Sequence, residues 1–149
     1  MSRKIARRYA FELIFQMPFN SEFDATDAFD IYPEGNLPKI SDSEHMFVME
    51  TITGVRNNLD ALDKRISANS KGWSLTRFNK VDLAVLRLAI YEICFANIPV
   101  GCSINEAVEI AKLYSGDESA RFVNGILSTV VNRESEVKGL PTTVEQSPH

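Results

Sequence analysis

Apolar residues recur at helical spacing through most of the chain. Ala6, Ala10, Leu13 and Met17 form one stripe, widened by Tyr9 and Ile14, and predict a helix over 3–17 that ends at Pro18. Ser41 with Glu44 three residues on has the form of a capping box. Behind it Val48, Ile52, Val55, Leu59, Leu62 and Ile66 recur in alternating fours and threes, predicting one long helix to about Asn69. From Val81 to Phe95 the sequence is apolar almost all round, as a central buried helix would be, with Asn79 as its cap and Asp82 at the third position. Asn97-Ile98-Pro99 ends it. Ser103 and Glu106 read as a second capping box, followed by the stripe Ile104, Ala107, Val108 and Ala111. Gly116 suits the left-handed residue past that helix, and Asp117 the N-cap of a last one carrying Phe122, Val123, Ile126, Leu127, Val130 and Val131. No strand alternation competes with these periods, so the fold class is all-α.

The stretches between the helices divide the chain. In 20–39, Phe23, Ala28, Phe29 and Ile31 suggest a short helix before Pro33, Gly35 and Pro38 punctuate a loop. Lys71-Gly72-Trp73-Ser74 breaks the period, so two halves of one domain are expected to meet near 70–78, with Trp73 packed between them and Leu75–Phe78 a single helical turn. Past residue 133 the apolar period lapses. Residues 1–133 therefore read as the domain and 134–149 as a disordered tail. Gly54, inside the long helix, fits a close approach by a neighbouring helix, and Gly125 costs its helix roughly 1 kcal/mol against alanine.

Composition narrows the function more by exclusion than by assertion. The 149 residues are 44% apolar and 24% charged, enough for a core without metal or disulfide. Two cysteines outside any CxxC pattern suit a reducing, cytoplasmic setting, and neither a signal peptide nor a membrane span is expected. His45 and His149 are the only histidines, so neither a zinc site nor a histidine-activated nucleophile is expected. Nucleotide loops and hydrolase motifs are absent. Carboxylate pairs such as Asp60 with Asp63 lie beside bases on helices and read as solvated faces. The expectation is a binding protein without cofactor or metal, not an enzyme.

The charge distribution points to one kind of ligand. The formal charge is −4, yet Arg3, Lys4, Arg7 and Arg8 put four cations and no acid on the first eleven residues, leaving 12 bases against 20 acids beyond. A basic head on an acidic body suits a local phosphate contact, although the same charges also suit a solvated helix end. Lys4, Arg8, Phe11 and Phe15 share one strip of the first helix, where the two phenylalanines could equally be core. Arg87 needs a partner if buried, for which Glu92 or Asp82 is available, or else reaches the surface to take a phosphate or base. Phe122, one turn after Glu118 and beside Arg121, is either core or a stacking platform for an unpaired base.

INEAVEIAK followed by SARFVNGIL, together with Arg3–Gln16 and VDLAVLRLAIYE at 81–92, closely resembles the NusB family of transcription antitermination factors. The resemblance spans most of residues 3–131. It implies about seven helices in two small packed bundles. It also implies binding of single-stranded boxA RNA in nascent ribosomal RNA transcripts, jointly with the small-subunit ribosomal protein NusE, and through that complex an action on elongating RNA polymerase. The RNA side is implied for Arg87 and Phe122, alongside the basic Arg3, Lys4, Arg7 and Arg8 and the neighbouring Glu118 and Arg121. The NusE side is implied for Phe15 and for Asp82, expected at a helix surface. Many members have tyrosine where this chain has Phe15, which removes a hydroxyl but keeps an apolar contact. The alternative is an interaction module of the same fold that binds no RNA itself. The fold also serves as the N-terminal domain of RNA cytosine methyltransferases, and a role of that kind would need a separate enzyme chain.

Overall fold

The structure is a computed structural model that describes residues 3–16, 41–70 and 74–138. Six α-helices lie among the described residues: α1 (Arg3–Gln16), α2 (Asp42–Asn57), α3 (Leu59–Ala68), α4 (Lys80–Cys94), α5 (Val100–Ser115) and α6 (Asp117–Lys138). A 3-10 turn, Leu75–Arg77, precedes α4, where a single helical turn is expected. No strand occurs among these residues. The short helix expected in 20–39, the packing of Trp73 and the tail beyond 138 lie outside the described residues.

The all-round apolar sequence of α4 has its consequence in its neighbours: α4 packs against each of the other five helices. Val85, Leu86 and Ile90 on it are fully buried. The pair α1–α2 and the pair α5–α6 are the other main packings, so α4 is the element the two halves share. Their buried side chains run together into one core. Asn79 caps α4 as expected, its Oδ1 accepting from the Asp82 N–H at 2.7 Å. The Ser41–Glu44 box opening α2 is also present in both directions.

Three boundaries differ from expectation. The long helix is two, broken at Asn58, whose side-chain amide takes the Gly54 carbonyl at 2.8 Å and competes with helix continuation. The apolar seam survives the break, with Val48, Ile52, Val55, Leu62 and Ile66 all fully buried. α5 begins at Val100 after Pro99, so Ser103 does not cap it; the Ser103 hydroxyl instead donates to Glu92 at 3.0 Å. α6 continues to Lys138, held beyond residue 133 by a buried Ser135 and an ion pair from Arg65 to Glu134. Between α5 and α6, Gly116 has φ of 96°, a conformation glycine adopts without strain. Its carbonyl accepts the first bond of α6 from Ala120, so Gly116, not Asp117, flanks both helices.

Gly54 does mark a close approach. A Cβ there would fall 2.2 Å from the end of the Tyr91 ring on α4. Gly54→Ala should therefore destabilise the fold by about 1–3 kcal/mol, despite the better helix propensity of alanine. In a Tyr91→Ala background the same change should cost much less. Denaturant melts of the four proteins check this, and an equal cost in both backgrounds would acquit the Tyr91 contact.

Candidate nucleic-acid interface

The amino-terminal cations do not act alike. Arg3 is exposed, and its guanidinium lies 4.3 Å from the centre of the Phe47 ring on α2. Lys4 is exposed and paired with Glu109 of α5 at 2.6 Å, a contact that raises the lysine pKa and lowers that of the glutamate. Arg8 is half-buried. Arg7 is 4% exposed, its Nε donating to Glu92 Oε2 at 2.7 Å while Ser103 occupies the other carboxylate oxygen. Helix periodicity explains the split, because Arg7 falls between the core residues Ala6 and Ala10 on the face turned to α4. Arg7 is thus corrected from a phosphate contact to half of a buried ion pair joining α1, α4 and α5. Burial pushes the Glu92 carboxyl up, and Arg7 partly offsets that.

Phe122 stands at the margin of the buried face of α6, one turn before Ile126, and is 38% exposed. Its ring packs edge-on against Phe78, with centroids 5.3 Å apart and planes at 65°. Phe78 is buried, so one edge of Phe122 is braced while part of it meets solvent. Glu118 and Arg121 are exposed beside it. A braced, half-exposed ring flanked by polar groups is what base stacking requires.

Arg87 is not bare at the surface. It makes a two-pronged bond to Asp63 of α3, at 2.9 and 3.0 Å, and is mostly shielded from water. Asp63, and not the expected Glu92 or Asp82, takes this fork. A free phosphate contact for Arg87 would have to compete with that fork.

Of the two residues implied for a protein partner, one is at the surface. Phe15 is 42% exposed and borders a groove of about 380 Å³ with Phe11, Glu12, Gln16, Val81 and Tyr114. Phe11, by contrast, is core. Asp82 is 5% exposed, so the expected surface position is corrected. Its Oδ2 accepts from Asn79 at 3.1 Å; Oδ1 has no hydrogen-bond partner, and burial raises the pKa, with Ser119 and Asn79 offsetting part of the rise. Tyr114, exposed at this groove, was missed, and its sequence neighbour Leu113 is exposed as well. Tyr114 continues the Ile104, Ala107, Ala111 stripe of α5 and so reads as core, whereas Leu113 falls off that stripe.

These features mark opposite ends of α4. Arg7–Glu92 lies near its C-terminus, while Asn79–Asp82 lies at its N-terminus with Phe78 just before it. Ten residues of helix separate Asp82 from Glu92, roughly 15 Å at the usual rise. Among the described residues no cluster of three His, Cys, Asp or Glu side chains could hold a metal, and no helix is long and apolar enough to cross a membrane.

Residues 4–132 match the model of the NusB family. A "Transcription antitermination protein NusB" of Acetivibrio thermocellus is 41% identical over 132 residues, covering 88% of this chain and 89% of that one. The solved structure of T. maritima NusB is 35% identical, covers 89% of this chain and 92% of its own, and superposes with a TM-score of 0.77. At 24% identity and a TM-score of 0.74, a structure of antitermination factors NusB and NusE in complex with dsRNA, matched over 88% of this chain and 96% of that one, shares the fold.

Proposed function

The chain belongs to the NusB family of transcription antitermination proteins, and from that premise we propose that it is an RNA-binding adaptor acting jointly with NusE. It captures single-stranded boxA RNA in nascent ribosomal RNA transcripts, in the cytoplasm, and helps the elongating polymerase resist termination. It is an adaptor and not an enzyme. The observation that carries the RNA reading is Phe122, an aromatic ring held half in solvent by Phe78 at the start of α6. Arg3, Lys4 and Arg8 supply backbone charge from α1, with Glu118 and Arg121 beside the stacking ring. Phe15 and the groove next to it supply the face for NusE.

Phe122→Ala should keep a near-native melting temperature and lose roughly 1–3 kcal/mol of RNA affinity, read by titrating boxA RNA into the protein with NusE present. Phe15→Ala in the same titration should weaken capture of NusE itself. A Phe122→Ala protein that binds RNA normally, or one that is badly destabilised, would end the platform assignment.

A further inference from the structure

At the end of α4 away from Phe122, a cavity of about 440 Å³ opens between α1, α2 and the start of α5. Its walls include Arg3, Phe47, Glu50, Tyr91 and Cys102. The volume falls within the range of roughly 300–1,000 Å³ usual for small-ligand sites. Two aromatic rings, a stacked guanidinium and a carboxylate converge on it, and of these only Arg3 belongs to the basic head.

We infer that this cavity is a second RNA subsite, taking one nucleobase turned out of the strand that Phe122 engages at the other end of α4. The inference rests on the RNA reading above and adds to it a place for a particular base. Arg3 is the central group. Its guanidinium is backed by Phe47 at 4.3 Å, and the residue is exposed, so a base can stack on the outer face of that plane. Tyr91 supplies an apolar wall whose position is fixed by its approach to Gly54. Arg7 also lines the cavity, but Glu92 cancels its charge, so Arg3 is the cation left to attract a phosphate at the mouth. Glu50 is exposed at the same cavity and can only accept hydrogen bonds when ionised. A base that turns a donor toward Glu50 therefore suits the site, whether an exocyclic amino group or the ring N–H of guanine or uracil. The separation from Phe122, roughly 15 Å or more measured along α4, means a strand must span at least that distance over the surface to meet both.

Cys102 makes the test direct, because its exposed thiol lies in the cavity wall while Cys94 is half-buried against the core and serves as an internal control. The protein with NusE and a boxA-containing single-stranded RNA is treated with iodoacetamide, and the two cysteines are followed separately by mass spectrometry. RNA should slow alkylation of Cys102 several-fold and leave Cys94 unchanged. Replacing single nucleotides by abasic ones, one position at a time, should reveal one position at which protection of Cys102 is lost. Cys102→Trp, which fills the cavity from its rim, should lower RNA affinity several-fold with melting temperature and NusE binding unchanged. Unprotected Cys102 on a protein that has RNA bound, no sensitive base position, or normal RNA affinity in Cys102→Trp overturns the subsite and leaves the Phe122 reading standing. A wild-type protein that captures no RNA even with NusE overturns both.

Discussion

Truncating Glu92 to alanine should cost about 3–5 kcal/mol of stability, enough to leave a marginal domain largely unfolded near physiological temperature. The cause is Arg7. Its guanidinium is almost wholly shielded and has Glu92 at 2.7 Å. Removing the carboxylate strands that cation among Val85, Leu88 and Ala89 of α4 and Ala107 of α5. Ser103 would lose its acceptor as well. Arg7→Ala should be of similar severity, since it strands the carboxylate, whose pKa burial already raises. The pair itself need contribute little. Replacing both members by apolar residues of similar volume, Arg7→Met with Glu92→Leu, should cost clearly less than either single truncation. Urea melts of these four proteins compare the costs, and adding Arg7→Ala with Glu92→Ala closes the cycle that gives the coupling energy. Two single truncations that each cost less than about 1 kcal/mol would show that water reaches the pair.

The same residues show what the sequence could and could not reveal. Helical periods located α1, α4, α5 and α6, because a buried stripe leaves its spacing in the chain. The Asn79 and Ser41 caps were legible because a cap is local chemistry, settled within four residues. Gly54 was legible for the opposite reason, as a residue that local propensity disfavours and only a neighbour explains. Apart from the helix boundaries at Asn58, Gly116 and Lys138, the failures are contacts between helices. Arg7 reads as one of four equivalent cations until α4 brings Glu92 beside it, and Ser103 reads as a cap until the same carboxylate takes its hydroxyl. Arg87 could be seen to need a partner, but Asp63 lies 24 residues away on α3 and is identified only once α3 packs on α4. Phe122 was undecidable by pattern. A ring that is part core and part surface satisfies the helical period and the binding motif at once, and only its exposure separates the two.

Asp82→Lys should be among the most damaging single changes in the chain, and should weaken NusE binding only by removing folded protein. At 5% exposure the position has no room for a solvated ammonium. A cation in the first turn also opposes the helix dipole, and the expected loss is several kcal/mol. Asp82→Asn should behave quite differently. The cap uses the backbone N–H of residue 82 and so persists, the amide oxygen can still accept from the Asn79 side chain, and the ionised form that burial disfavours is removed. The sign of the pH dependence follows from the raised pKa of Asp82 in the folded state. Below the unfolded value of 3.8 the group is protonated in both states, and its contribution is fully present. As pH rises through the higher folded value, the unfolded state releases its proton more readily, and that contribution is lost. Wild type should therefore lose ground to Asp82→Asn between acidic and neutral pH, with no such drift between two proteins that both carry asparagine there. Thermal melts across pH, beside a NusE pull-down at neutral pH, distinguish the readings. A stable, folded Asp82→Lys protein that no longer binds NusE would return Asp82 to the partner surface, and an Asp82→Asn protein whose stability tracks wild type at every pH would refute the buried carboxyl.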